Sequence, residues 1–447
     1  MRDLGARLRE VVRRARTPGI PTAGVLPVLP RELTYVPDPD PTDLRLDVAE
    51  LLGGIRLDAS GACVMVERRY EAHRTHGRRA VESYLPAAQA PLHLLDPRIN
   101  QVSDWSRRLV YFDIETTGLS GGAGTIAFLV GCGWFDEEGF TVRQFFLAGP
   151  SGERVMLDAL GAVLNGASLL VTYNGRTFDV PFMEMRWAFH RSPAATDDLP
   201  HFDMLPPARR LWSRRGPDPH DPLGAFTQEG CSLAALERRV LGFHRHGDVP
   251  GFEIPARYFH FLRSGDGSVI EGVLEHNRHD LLSLAAVMSQ ALWLAAEGPD
   301  ACREPGEQVA LGRLYEQAGL MDRAVHAYER AAAAGDRHAS GGALGRLAVL
   351  LRRQQRYAEA ADAWQGVLDL SPPGCRTLSP LECRAAEALA IYHEHRARDL
   401  PSARRYASVL DGAVSGRGRL DLDRRMRRLD RKLDQRAGGR KGTLEYE

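Results

Sequence analysis

Residues 109–119 read LVYFDIETTGL, a short apolar run that closes on two acids. A stretch so brief and so rich in aliphatic and aromatic residues predicts a buried β-strand over Leu109–Ile114. Side chains two apart on a strand point the same way. Asp113 and Glu115 therefore share one face, with Ile114 on the other. Two like charges so close repel unless a cation stands between them, and hard oxygen ligands at that spacing suit Mg2+ or Mn2+. Asp-x-Glu alone is common, and a solvated strand end carries it equally well.

Strand-like and helix-like patterns alternate around this stretch. Thr125–Phe135 and Thr141–Leu147 read as the next two strands, and Arg154–Leu164 as a helix ending near Asn165-Gly166. Ser168–Tyr173 reads as another strand and Val180–His190 as a helix. A Pro/Arg/Gly-rich insertion over about 191–230 precedes helices at 232–241 and about 272–296. This order predicts a mixed sheet with helices packed on it, an α/β domain over residues 105–298.

Two further acids stand where elements begin or cross. Asp179 lies in VTYNGRTFDVPFMEMRW (171–187), just past a strand and a turn, where an Asp commonly caps a helix. Asp280 lies in VLEHNRHDLLSLAAV (273–287). At helical spacing, Val273, His276, Asp280, Leu284, Val287 and Ala291 share a face, so His276 and Asp280 interrupt an apolar stripe. A carboxylate there needs a partner, either His276 within the core or something bound.

FDIETTGL (112–119), YNGRTFDVPF (173–182) and HNRHDLLSL (276–284) together resemble, in order, the three motifs of the ribonuclease H-like 3′–5′ exonucleases of the DEDD type. The second is similar to the corresponding motif of B-family DNA polymerase proofreading domains. CSLAALERRVLGFHRHGDVPGFEIPARYFHFL (231–262) resembles the YprB-like group of predicted exonucleases, whose members often carry C-terminal tetratricopeptide repeats. The resemblance implies a ribonuclease H-like domain hydrolysing phosphodiesters of single-stranded nucleic acid with two divalent ions. Asp113 would bridge the ions, Glu115 and Asp280 would complete the site that activates water, and Asp179 would hold the second ion. The pattern departs at one point. The family places Tyr four residues before the last Asp or His five before it, whereas here those positions are His276 and Glu275. His276 is one helical turn from Asp280 and can still orient or deprotonate the water. In the resembling enzymes the turn bearing Thr116, Thr117 and Leu119 contacts the terminal nucleotide, and Asn174 would hold the sugar or the turn itself.

ARRLWSRRG (208–216) sets Arg209, Arg210, Arg214 and Arg215 around Trp212, a cluster able to pair with phosphates and stack a base, or a solvated loop with Trp212 docked on the core.

The flanking regions differ in texture. Residues 1–104 are weakly patterned, with a Pro-rich stretch from Pro18 to Pro41, a candidate helix at Asp43–Leu52 and a candidate strand at Ala62–Glu67. No function attaches to them. From about 304 to 436 the chain is helical and repetitive. LYEQAGLMDRAVHAYERA (314–331) returns as LLRRQQRYAEAADAWQGV (350–367), placing Leu350, Ala360 and Trp364 where Leu314, Ala324 and Tyr328 stood. A degenerate third unit runs from Cys383 to Leu410, with Tyr392 and Ala403 in place. This resembles tetratricopeptide repeats, an all-α domain for binding a protein partner. The basic tail from Arg417 to Lys441 reads as a helix that caps the array, binds nucleic acid, or does both.

With 447 residues, 58 basic and 58 acidic side chains and 44% hydrophobic content, the composition is that of a multidomain globular protein. Zero net charge excludes holding polyanions by bulk charge, though not a local basic groove. Six scattered cysteines without a C-x-x-C pair, no apolar run long enough for a membrane and no visible secretory signal predict a reduced, cytoplasmic protein. The alternatives are a ribonuclease H-like endonuclease and a non-catalytic adaptor that works through its repeats.

Overall fold

The computed structural model describes residues 48–86, 91–99, 108–118, 124–213, 228–370 and 378–441, without the side chains of 228, 229, 338 and 437–441. Its centre is a seven-stranded sheet of β1 (Ile55–Arg56), β2 (Cys63–Glu71), β3 (Arg108–Thr116), β4 (Ala127–Asp136), β5 (Gly139–Leu147), β6 (Ala167–Thr172) and β7 (His201–Asp203). The order across the sheet is β1-β2-β5-β4-β3-β6-β7. Strands β2, β5, β4 and β3 pair antiparallel in turn, while β6 and β7 extend the β3 edge in parallel. Strand β4 is buried on both faces over 127–134, as expected of a strand with helices on either side. Helices α1 (Glu153–Leu164), α2 (Asp179–Phe189), α3 (Leu205–Trp212), α4 (Ile254–Ser264) and the 30-residue α5 (Ser268–Glu297) complete the mixed α/β domain.

Three expectations need correction. The boundary at residue 104 does not separate two folding units, because β2 pairs with β5 over nine residues from Cys63 to Glu71. Residues 63–99 also supply Tyr70, Val81, Leu92 and Leu95 to the main core. The segment 191–230 is not simply an insertion, since it contributes β7 and α3. Short strands at a sheet edge carry little sequence signal, which is why β7 escapes pattern reading. The expected helix at 232–241 is a single α-turn, Leu233–Leu236, followed by a π-turn over Glu237–Leu241 that stops at left-handed Gly242 (φ 67°). The Pro-rich stretch, Leu119, Arg214 and Arg215 lie outside the described residues.

Beyond α5 the chain folds as stacked antiparallel helices: α6 (Pro305–Gln317), α7 (Met321–Ala333), α8 (Arg337–Arg353), α9 (Tyr357–Asp369), α10 (Pro380–His395), α11 (Leu400–Val409) and α12 (Gly416–Lys441). The recurring residues Leu314, Ala324, Tyr328, Leu350, Ala360 and Trp364 are all buried where successive helices meet. Small Ala at the crossings lets the backbones approach, while the aromatic rings fill the space beside them. One core runs without a break from Tyr111, Leu169 and Phe202 through Leu284, Val287 and Ala291 of α5 to Leu314 and Trp364. Helix α12 closes the far end with Leu422 and Leu429 buried against α10 and α11. No helix among the described residues is long and apolar enough to cross a membrane.

Candidate active site

The acidic residues converge because α5 crosses the sheet face on which Asp113 and Glu115 stand. Cross-strand pairing sets Asp113 beside Gly131, and Gly131 beside Gln144, in one row over β3, β4 and β5. A Cβ at Gly131 would lie 2.2 Å from Asn277 Oδ1, so only glycine lets α5 settle this close. Fully buried Asn277 fills the space. Its Nδ2 donates to Asp113 Oδ2 at 2.8 Å, and its Oδ1 accepts from Gln144 Nε2 at 2.8 Å. Gln144 Oε1 in turn accepts from Arg278 Nη1 at 3.3 Å. A buried polar network thus fixes the orientation of the Asp113 carboxylate.

Three residues present ligand atoms within 4.8 Å of one another: Glu115, His276 and Asp280. His276 Nε2 lies 3.2 Å from Asp280 Oδ2, while its Nδ1 lies 2.9 Å from Asp248 Oδ1. Arg245 completes the group. Its Nη2 donates to Asp280 Oδ1 at 2.5 Å and to Glu237 Oε1 at 2.5 Å, and its Nη1 to Asp248 Oδ2 at 3.1 Å. The π-turn and the left-handed Gly242 bring Glu237 and Arg245 together. His279 faces elsewhere, paired with Glu275 at 3.0 Å and set edge-on to Phe243.

Asp179 is the first residue of α2, following Phe178 as its cap. The turn before it is rigid. Asn174 adopts φ 70°, and a Cβ at Gly175 would lie 2.4 Å from Thr172 Oγ1. Asp203, at the end of β7, accepts the backbone N–H of Asn174 (2.8 Å), Arg176 (3.2 Å) and Leu205 (3.0 Å). Arg176 is held further by buried Asp96 at 3.0 Å, a contribution from the N-terminal segment.

The electrostatics are those of crowded anions. Burial, then the charges of Asp280, Glu115 and Asp179, push Asp113 well above the usual carboxylate range. Burial raises Glu115 to about 8, with His276 opposing and Asp280 and Asp179 adding. Burial raises Asp179 to about 7 against backbone N–H donors that favour its ionised form. Asp280 goes the other way: burial would raise it, but the His276 hydrogen bond and the Arg245 charge hold it down. Burial likewise opposes the proton on His276, yet the bond to Asp280 lifts the imidazole to about 9. Convergent carboxylates that resist ionising together are the donor set a divalent cation satisfies, so the residues present fit such an ion. Glu115 and Asp280 offer oxygens, and His276 a nitrogen, to the cluster.

The remaining candidates stand apart from this chemistry or serve the turns. Thr116 Oγ1 donates to Gly118 O at 3.0 Å, and Thr117 Oγ1 accepts the Ile126 N–H at 3.1 Å. Asn174 Oδ1 accepts from Thr177 Oγ1 at 2.9 Å. Arg209 is exposed, whereas Arg210 donates to Leu95 O at 2.5 Å. Trp212 is not available to stack a base: it is buried, and its Nε1 donates to Glu307 Oε1 of α6 at 2.8 Å. It ties α3 to the first helix of the array. Sequence reasoning missed Asn277, Gln144, Arg245, Asp248, Glu237 and Asp203. Gly131 and Gly133 inside an apolar strand were a legible signal that something approaches closely; the contacts of Arg245 left none.

Sheet, crossing helix and acidic centre define a ribonuclease H-like domain, the fold of a class of nucleases. A family model described as RNase_H superfamily matches residues 110–292. The chain is also 32% identical over 336 residues to a Bacillus subtilis (strain 168) protein, "Uncharacterized protein YprB", covering 72% of this chain and 75% of the relative. The chain belongs to the family of this relative, and its residues 110–292 match the RNase_H superfamily.

Proposed function

We propose that the protein is a metal-dependent 3′–5′ exonuclease of single-stranded nucleic acid. The observation that carries the reading is the cluster of Glu115, His276 and Asp280, whose ligand atoms lie within 4.8 Å of one another, with Asp113 and Asp179 near enough for their charges to act on the same group. Divalent ions bound there would activate the attacking water and offset the charge of the scissile phosphate and leaving oxygen. The chain's own groups do the rest. Asn277 holds Asp113 in one orientation, and Arg245 and His276 hold Asp280. His276 is held protonated by the carboxylates around it, and would accept a proton of the water once bound cations offset those charges. Thr116 and Thr117 stiffen the turn on which the terminal nucleotide would rest. Asn174 keeps the second motif's turn in place, and Arg209 would meet the incoming strand. The stacked helices from Pro305 onward act as tetratricopeptide-like repeats that bind a protein partner; the recurrence of Ala324 and Tyr328 as Ala360 and Trp364 supports this.

The test pairs the full chain with Asp113→Ala on 5′-labelled single-stranded DNA and RNA, in Mg2+, Mn2+ or EDTA. A ladder shortening from the 3′ end, lost in EDTA and in the variant, is expected. Internal cuts would replace the exonuclease by an endonuclease. No cleavage of either substrate in either metal would overturn the enzymatic reading in favour of an adaptor.

A further inference from the structure

Charge is strongly segregated in this chain. Helix α12 holds nine arginines and two lysines against four aspartates, an excess of seven positive charges in a protein of zero net charge. The two sides of α12 use that charge differently. On the inner side it is neutralised: Arg428 Nη2 and Lys432 Nζ reach Glu394 of α10 at 2.8 and 2.9 Å. Arg425 faces Glu387 at 3.8 Å, and Asp430 takes Arg404 of α11 at 2.6 Å. On the outer side it is not. The Arg424 side chain is 72% exposed and has one exposed contact, to Asp421 at 3.4 Å, which is worth little in water. Exposed Arg427 and Arg431 spend one Nε each on a backbone carbonyl of their own helix, at 3.2 and 3.4 Å. Arg424, Arg427, Arg428 and Arg431 line one surface recess with Asp430 and Asp434, four positive charges against two negative, and Asp430 is already paired with Arg404.

We infer that this outer face of α12 is a docking surface for the phosphate backbone of a single-stranded nucleic acid. The inference rests on the nuclease reading and places a second anchor for the substrate on the helical array. Arginine forks match phosphate oxygens in shape as well as charge. From residue 424 to 431 the helix rises about 10 Å, room for on the order of three phosphates of a stacked strand. A membrane surface fits poorly, because the apolar side of α12 is already consumed: Leu422 and Leu429 are buried in the array. Of its outward leucines, Leu420 is 58% exposed, one residue and not a face.

The test uses the full chain in EDTA, so that binding is read without cleavage. Fluorescence anisotropy of labelled 20-mer DNA and RNA is compared for the natural chain and for Arg424→Gln/Arg427→Gln/Arg431→Gln, with circular dichroism to verify folding. The triple variant is expected to bind roughly tenfold or more weakly at 100 mM salt. Its slope of log affinity against log salt falls by about 2, at ~0.7 per lost contact on a single strand. Affinity and slope equal to those of the natural chain would overturn the inference. So would loss of polyglutamate or anionic-vesicle binding in the variant while oligonucleotide binding stayed intact. The two readings fail separately. Cleavage by the natural chain with unaltered binding by the variant removes only the docking surface. Salt-dependent binding lost in the variant, without cleavage in any metal, removes only the exonuclease.

Discussion

Replacing Asn277 with Leu keeps the side-chain volume near that of the amide and deletes its hydrogen bonds. Gln144 Nε2 is not orphaned, since it also donates to Leu274 O at 2.9 Å. The loss therefore falls on Asp113, whose Oδ2 gives up an N–H donor at 2.8 Å. A hydrogen bond to a charged group contributes about 1.5–3 kcal/mol. That donor favours the ionised carboxylate, and without it the burial and neighbouring charges that already raise Asp113 act unopposed. A divalent ion must then displace a more firmly held proton. The expected result is a Mn2+ affinity 10- to 100-fold weaker, the usual cost of losing a group that orients a metal ligand. That range converts to about 1.4–2.8 kcal/mol, in agreement with the hydrogen-bond figure. Titration calorimetry of Mn2+ into the natural chain and Asn277→Leu measures it directly. The pH above which the ion binds should also move upward, because the raised carboxyl deprotonates later. A folded Asn277→Leu with Mn2+ affinity within twofold of the natural chain would refute the reasoning.

Arg245→Gln should destabilise the domain by about 3–5 kcal/mol, because it strands Glu237, 1% exposed, without its countercharge. Arg245→Gln/Glu237→Gln should recover most of that loss, and a double-mutant cycle by urea unfolding reads the coupling. Glu153 is buried with Arg186 at 2.5 Å and His190 at 2.7 Å. Burial would raise its carboxyl, but the Arg186 and His190 hydrogen bonds hold it below its ordinary value. Its stabilisation is therefore whole above the unfolded-state pKa and lost as pH falls through the lower folded one. Thermal melts from pH 7 to pH 3 should show a steeper loss for the natural chain than for Glu153→Gln, which starts several kcal/mol lower because Arg186 is left unpaired. Trp212→Phe removes the donor to Glu307 Oε1 at a cost of about 1–3 kcal/mol and should speed proteolysis between α5 and α6.

Much of the domain was legible because it obeys simple periods. The apolar runs around Asp113 and the two following strands alternate as strands do, and α5 carries its stripe from Val273 to Ala291. The helical array was legible through recurrence of Ala324 and Tyr328 thirty-six residues later. The illegible parts lack a local period. Strand β7 is three residues long and owes its place to pairing with β6. Strand β2 read as an isolated strand, since nothing near Cys63 says that its partner is Leu147. Trp212 and its arginines suggested a stacking site from composition alone, and only the neighbour Glu307, 95 residues away, shows the indole to be a tether.

By itself the sequence determined which acids could act together, because strand and helix periods put Asp113 with Glu115, and His276 with Asp280, on common faces. It also determined that the chain continues as repeated helices. Only the tertiary structure decided how the site is held. Gly131 admits Asn277 to Asp113, Arg245 bridges Asp280 to Glu237, and Asp203 fastens the turn before Asp179. Those contacts join residues 8 to 164 positions apart, and most span 29 or more. Local sequence encodes which way a side chain points along its own element; which distant group it meets depends on how the elements pack, and no local pattern records that.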